Sequence, residues 1–264
     1  MENFYNNIVT IICGETGSGK STQIPQFIYN HNQINGVDTM IGITQPRRVA
    51  AVSLAQRVAE EMGEAGSGQL VGYQIRYDSS HFTKNVIRIK FMADGILLKE
   101  IESDFLLRHY STIVIDEAHE RSLNSDILIS LLTRIAYQRC ELAYNDRKQG
   151  VADSINHPLR LVIMSATLRV SDFRDNKQLF PKSLFNRVPK MIKVEARQFP
   201  VSQHYNKTTK DDYVEEAFKK IVKIHRNLPA GGILVFLTGK KEIQYLQKRL
   251  KIELAKTVKD DEDS

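Results

Sequence analysis

Gly14-Glu15-Thr16-Gly17-Ser18-Gly19-Lys20-Ser21-Thr22 follows the apolar, β-branched run Ile8 to Ile12 and precedes a helical pattern, Gln23 to Tyr29. A G-x-x-x-x-G-K-[ST] turn between a strand and a helix is the setting in which this pattern carries chemistry. Its glycines let the chain fold tightly enough for successive N–H groups to face phosphate oxygens. The helix N-terminus adds unpaired donors and a positive dipole end. Gly14, Glu15, Thr16, Gly17, Ser18, Gly19, Lys20, Ser21 and Thr22 are therefore expected to hold a nucleoside triphosphate. Lys20 is expected to reach the β- and γ-phosphates, and Ser21 to offer its hydroxyl to Mg²⁺. The competing reading is a chance glycine-rich turn, and the filled positions and correct flanks weigh against it.

Working outward, strand patterns alternate with helical ones. Met40 to Thr44, Leu70 to Tyr77, Val86 to Phe91, Thr112 to Ile115 and Leu161 to Met164 read as strands. Arg47 to Met62 and Gly95 to Ile101 read as helices, as does a segment with an apolar face of Ile127, Leu128, Leu131, Leu132 and Ile135. Asn124, Ser125 and Asp126 supply capping chemistry at the start of that last helix. His31 to Asp38 reads as a turn, and polar Tyr144 to Pro158 as an exposed loop. Strands apolar on both faces and separated by helices predict an α/β fold with a parallel sheet, whose ligands bind at the strands' carboxyl ends.

Near Val194 to Pro200 the pattern restarts. Residues 1–195 form one expected domain and 196–264 a partial second one. The latter offers a possible strand Val201 to Tyr205 and an amphipathic helix Asp212 to His225. A strand Ile233 to Leu237 follows, then a helix aligned on Ile243, Leu246, Leu250 and Leu254. Lys259 to Ser264 reads as an acidic, solvated linker. Two strands and two helices bury little core, so the expectation is either docking on the first domain or a fragment. Met1 to Tyr5 looks like the stub of something longer.

Composition bounds the function loosely. The 42% apolar and 26% charged residues are ordinary for a globular protein, which excludes a disordered or fibrous class. The net charge of +6 is compatible with a polyanionic partner without requiring one. Cys13 and Cys140 lie far apart with no metal-ligand spacing, and Cys13 reads as a packed thiol. Without a signal peptide or a long apolar run, a soluble intracellular protein with no membrane partner is expected.

Asp116-Glu117-Ala118-His119 closes the strand Thr112 to Ile115. A strand-terminal acid roughly a hundred residues after a phosphate loop suits a Mg²⁺ ligand, and Glu117 beside it suits the residue that orients or deprotonates water. The bland alternative is a strand that merely ends in acids.

Together the phosphate loop, Asp116-Glu117-Ala118-His119-Glu120-Arg121 and Ser165-Ala166-Thr167-Leu168 resemble the DEAH-box RNA helicases of superfamily 2. Thr44-Gln45-Pro46-Arg47-Arg48-Val49-Ala50-Ala51, Phe91-Met92-Ala93-Asp94-Gly95 and Phe236-Leu237-Thr238-Gly239 resemble three further motifs of that family, in order. Within it, residues 165–170 and 228–239 look most like a nucleolar subgroup acting on small nucleolar RNA in small-subunit ribosome assembly.

The resemblance implies a RecA-like P-loop NTPase domain followed by the truncated start of a second RecA-like domain. It implies ATP, with other NTPs possible, and Mg²⁺ as cofactors. Ser21, Asp116 and Glu117 complete the metal and water site, with Glu117 as catalytic base. Arg57 matches a residue that stacks on adenine, a contact any base can make with a planar guanidinium. His119, Ser165 and Thr167 match residues that couple nucleotide state to domain closure. Arg48, Arg76, Asp94 and Gly95 match RNA-contacting positions, with backbone contacts to single-stranded RNA that read no sequence. Pre-ribosomal or small nucleolar ribonucleoprotein partners and a nucleolar location are implied in the same way.

Ala93 departs from the family, which usually has threonine there, so weaker RNA affinity is expected. The arginine finger of such enzymes lies in a motif beyond those matched here, which predicts ATP binding with slow turnover. Three classes thus stand open: an RNA helicase represented by its N-terminal part, a nucleotide- and RNA-binding module of little catalysis, and another P-loop enzyme such as a kinase.

Overall fold

Val9–Gly14 and Tyr110–Ile115 are buried at every residue, as strands covered on both faces must be. The computed structural model describes residues 7–37, 39–64, 70–79, 87–151, 157–167, 174–181, 189–194, 200–208 and 210–262, with side chains to residue 255. Met1 to Tyr5, Asp38, Val86 and residues 152–156, 168–170 and 195–199, which several expectations touch, lie outside that set.

The elements in chain order are β1 (Val9–Gly14), α1 (Lys20–Ile34), β2 (Met40–Gln45), α2 (Arg48–Glu61), β3 (Val71–Ile75), β4 (Asp78–Ser79) and β5 (Ile89–Ala93). They continue with α3 (Asp94–Ser103), β6 (Tyr110–Ile115), α4 (Leu123–Lys148), β7 (Arg160–Ser165), β8 (Lys190–Val194), α5 (Tyr213–Asn227) and α6 (Lys240–Glu262). Among the described residues the strands form one sheet in the order β4-β3-β5-β2-β6-β7-β1-β8. Every pairing is parallel except β3 with two-residue β4. This is the expected α/β architecture, consistent with a RecA-like helicase domain.

The two-residue period of the strands divides the core into two layers. Ile11, Cys13, Ile113, Ile115, Leu161 and Ile163 pack on one face with α3 and α4. Ile12, Ile41, Ile43, Val114, Val162 and Met164 pack on the other with α1 and α2. Gln45 and Asp116 follow Ile43 and Val114 by two residues, so the period carries both to the α1–α2 face at the carboxyl edge. Cys13 is fully buried, and burial raises its thiol pKa, as a packed thiol requires.

Several local expectations are corrected. Helix α1 runs to Ile34, through the first half of the expected turn. Helix α4 runs to Lys148, so the expected loop begins later. It is anchored just before that stretch by buried Ala143 and by Arg139, which is 2% exposed. Arg139 Nη1 donates to the carbonyls of Leu107 and Tyr110 at 2.8 and 2.7 Å, and Nε to that of His157 at 2.8 Å. Burial pushes its guanidinium down to about 10, still charged at neutrality. The cap of α4 is Ser122, whose Oγ accepts from the Ser125 N–H at 3.0 Å, not the three residues expected.

The chain divides into compact units at Pro200/Val201. In the second, α5 and α6 form as expected, joined by an Arg226–Glu253 ion pair at 3.0 Å and by Arg249 stacked 4.1 Å over Phe218. Neither Val201 to Tyr205 nor Ile233 to Leu237 is a strand. Leu234 and Phe236 are 80% and 86% exposed, and among the described residues no strand lies beside the run to pair with it. The acidic run expected as linker continues α6 to Glu262. Among the described residues no helix is long and apolar enough to cross a membrane.

Candidate nucleotide site and nucleic-acid cleft

The phosphate loop leaves the end of β1 and turns into α1 through two glycines at positive φ, Gly17 (82°) and Gly19 (80°). That region is open to glycine and strained for other residues. Gly14 is tight for a different reason: a Cβ there would lie 2.9 Å from the Val194 carbonyl of β8. Lys20, 9% exposed, folds back over the loop. Its Nζ donates to the carbonyls of Gly14 and Glu15 at 2.5 and 2.9 Å and to Ser18 Oγ at 3.2 Å. Thr22 Oγ1 donates to the Gly19 carbonyl at 3.3 Å, so its hydroxyl braces the loop.

Asp116 ends β6 at 2% exposure. Its Oδ2 accepts from Gln45 Nε2 at 2.6 Å and its Oδ1 from the Glu117 N–H at 2.8 Å. Glu117 and Arg121 both have φ of 52° and bracket the 3₁₀ turn Ala118–Glu120, bending the acidic loop sharply back. Desolvation first, and then the neighbouring Asp116 charge, raise the Glu117 pKa above the ordinary carboxylate range, against smaller opposing effects of His119 and Lys20. His119 Nδ1 accepts from the Ala166 N–H at 3.2 Å and lies 3.3 Å from Glu117 Oε2. Two acceptors face each other across that second contact, so a proton on Glu117 makes it attractive while leaving the Ala166 bond intact. Ser165, 3% exposed, closes the next turn through its Oγ, which accepts from the Thr167 N–H at 3.2 Å. The acidic loop and the Ser-Ala-Thr turn are thereby joined at one histidine.

Ser21 and Asp116 offer hydroxyl and carboxylate oxygens, the hard donors Mg²⁺ prefers, and the ion commonly takes one or two carboxylates with the rest from phosphate and water. No group of three or more His, Cys, Asp or Glu side chains gathers among the described residues. Arg57 stands on α2 with its Nε donating to Glu61 Oε1 at 2.8 Å. Gln23 and Gln26 of α1 donate to the other Glu61 oxygen at 2.9 and 2.8 Å. Glu61 thus ties Arg57 to the helix that begins in the phosphate loop.

A second cleft of about 480 Å³ opens where β2 and β5 end. Arg48, Arg76, Ala93, Asp94, Gly95 and Lys99 contribute to its wall, so the structure brings all four expected RNA positions together. Helix α3 starts there, capped by Ala93 in extended geometry with no side-chain cap bond. A Cβ on Gly95 would meet nothing within 4 Å, so no protein atom demands glycine there. Asp94 corrects part of the expectation. Its carboxylate turns inward, 3% exposed, and Oδ2 accepts from Ser122 Oγ and Ser125 Oγ at 3.1 and 2.7 Å. Only its main chain can serve an anion.

No sequence pattern singles out Gln45, Glu61, Arg47 or Lys99. Arg47 pairs with Glu120 at 2.9 Å. The alternation of β2 places Gln45 on the Asp116 face, but which strand lies beside β2 is a tertiary fact that no local pattern carries.

Comparison with known proteins identifies the family. A model of the DEAD/DEAH box helicase family matches residues 1–175. The chain is 52% identical over 258 residues to the probable ATP-dependent RNA helicase DHR1 of Saccharomyces cerevisiae, covering 96% of this chain and 19% of that protein. It is 52% identical over 252 residues to the probable ATP-dependent RNA helicase DHX37 of Homo sapiens, covering 95% and 20%. Against the ATP-dependent RNA helicase DHX33 of Mus musculus it is 41% identical over 241 residues, covering 90% and 30%. The chain therefore spans a fifth to a third of the length of these relatives. With its phosphate loop, acidic strand end and Ser-Ala-Thr turn in register on one sheet edge, the chain belongs to the DEAD/DEAH box helicase family.

Proposed function

We propose that these residues form the ATP-binding and RNA-contacting part of an ATP-dependent RNA helicase. The observation that carries this is one of placement. Lys20, Asp116 and Glu117 share a sheet edge with the Arg48–Arg76–Gly95 cleft, so nucleotide and strand engage adjacent loops of one rigid sheet.

In this reading the Lys20 ammonium turns from the carbonyls of Gly14 and Glu15 to phosphate oxygens. Ser21 and Asp116 hold Mg²⁺, which when bound neutralises charge on the phosphates. Glu117, its basicity raised by burial and by Asp116, takes the proton of the water that attacks the γ-phosphorus, and ADP and phosphate leave. The bond from Ala166 to His119 reports that event to the Ser-Ala-Thr turn. Arg57 stacks on the base, which gives little base selectivity. Arg48, Arg76 and the N-terminal amides of α3 hold phosphates of single-stranded RNA, and Gly95 leaves room for them. The second unit is the opening of a second RecA-like domain. A nucleolar role with pre-ribosomal or small nucleolar ribonucleoprotein partners rests on the resemblance of residues 165–170 and 228–239 to that subgroup.

The test is steady-state ATP hydrolysis by this 264-residue chain with and without single-stranded RNA, beside Lys20→Ala and Glu117→Gln. Tight Mg²⁺-dependent ATP binding, lost in Lys20→Ala, with slow turnover abolished in Glu117→Gln, is the expected result. Nucleotide binding indifferent to Lys20→Ala refutes the reading.

A further inference from the structure

Gln45 is 1% exposed and touches a carboxylate that is 2% exposed, so this contact is sealed from water. Gln45 Nε2 donates to Asp116 Oδ2 at 2.6 Å, a short, direct hydrogen bond. Strands β2 and β6 are parallel neighbours with Thr44 opposite Ile115, which sets Gln45 and Asp116 side by side one step beyond the ladder. The Asp116 N–H donates to the Thr44 carbonyl at 3.2 Å and extends that ladder. With the Glu117 N–H on the other oxygen, the carboxylate is held by two N–H donors and keeps a single orientation.

The residue type matters. A neutral amide donates without neutralising the carboxylate, whereas lysine or arginine in its place would compete with a cation. Pro46 follows, which confines Gln45 to extended backbone and fixes its own φ. Pro46 and Arg48 line the 480 Å³ cleft, and Arg47 makes a second, exposed tie to Glu120.

We propose that Gln45 is a positioning residue: it orients the Asp116 carboxylate for the cation and, through Pro46 to Arg48, links that site to the RNA cleft. This deepens the proposed function and rests on it. Partners of a ligating carboxylate contribute about 10- to 100-fold to metal affinity, and Gln45 falls in that class.

The experiment titrates Mg²⁺ against binding of a fluorescent ATP analogue to the 264-residue chain, in wild type, Gln45→Met and Asp116→Asn. Gln45→Met keeps length and removes the donor. It is expected to raise the half-saturating Mg²⁺ concentration about 10-fold or more while nucleotide affinity in chelator stays the same. That split is one a merely structural role does not produce. An unchanged Mg²⁺ midpoint in a folded Gln45→Met protein overturns the positioning role. If Gln45→Met fails to fold, the side-chain amide signal of Gln45 in ¹⁵N-labelled wild type is the readout. It should shift with Mg²⁺·ADP and stay still with ADP in chelator, and a silent signal overturns the proposal. Anisotropy of a labelled oligouridylate tests the link to the cleft: Mg²⁺·ADP changes RNA affinity in wild type and not in Gln45→Met. No change in wild type overturns that half. Asp116→Asn separates the two ideas, because a Mg²⁺ midpoint indifferent to Asp116 removes the underlying reading and this inference with it.

Discussion

Ala93 is the position at which a single hydroxyl should act twice. It caps α3 at φ −72° and ψ 145°, extended geometry that suits a capping side chain, yet alanine has none to offer. Threonine there can accept from an orphan N–H in the first turn of α3, a gain of about 1 kcal/mol. For a unit of this size that raises the melting temperature by about 2–4 °C. A hydroxyl also carries one O–H donor beyond its acceptor lone pairs. Since Ala93 lines the cleft, that donor faces any phosphate held there. One further hydrogen bond of about 1 kcal/mol strengthens RNA binding about fivefold. The assay is thermal melting together with anisotropy of a labelled oligouridylate at fixed salt, comparing Ala93→Thr with Ala93→Val. Valine matches the shape without the hydroxyl and should give neither gain. Equal behaviour of the two variants in both measurements refutes the reasoning.

Gly95→Ala should separate stability from binding: alanine favours the helix by about 0.5–1 kcal/mol, while its methyl intrudes on the cleft and weakens RNA binding. Weaker binding without any stabilisation would point to distortion instead. Glu117 has a raised folded-state pKa, so its ionised form disfavours folding. Glu117→Gln should therefore raise the melting temperature near pH 7–8, and the difference should vanish below about pH 4, where the unfolded carboxyl is also protonated. A pH-independent difference contradicts that sign. Arg139→Leu strands the carbonyls of Leu107, Tyr110 and His157 and should lower unfolding free energy by about 3 kcal/mol or more in denaturant titration. A loss below about 1 kcal/mol would mean water replaces the guanidinium.

What was legible in advance is local chemistry. The phosphate loop announces itself because its glycines, lysine and hydroxyl must be consecutive, and Asp116-Glu117 because a buried strand ends there. The continuously apolar runs of β1, β6 and β7 likewise predict a sheet covered on both faces. The errors share a cause in tertiary context. Tyr144 to Lys148 looks like loop by polarity, yet it extends a helix anchored upstream by Arg139. Asp94 looks like part of an RNA-contacting stretch, yet its charge is turned away from the cleft by two serines of the α4 cap. Ile233 to Leu237 has strand composition and, among the described residues, no strand beside it. In the sequence Gln45 is one letter of a family motif, and its partner lies 71 positions away.

The pairing of β8 with β1 has a mechanical consequence. Five register pairs join these strands, and the last is Gly14 with Val194. Beyond Val194 the polypeptide runs on toward the second unit, so tension carried along it reaches the sheet at that pair. Force applied across the strand axis peels β8 from this end first. Gly14 is also where the Lys20 ammonium rests. A pull from downstream would thus reach the root of the loop proposed to hold phosphate at the Gly14–Val194 pair.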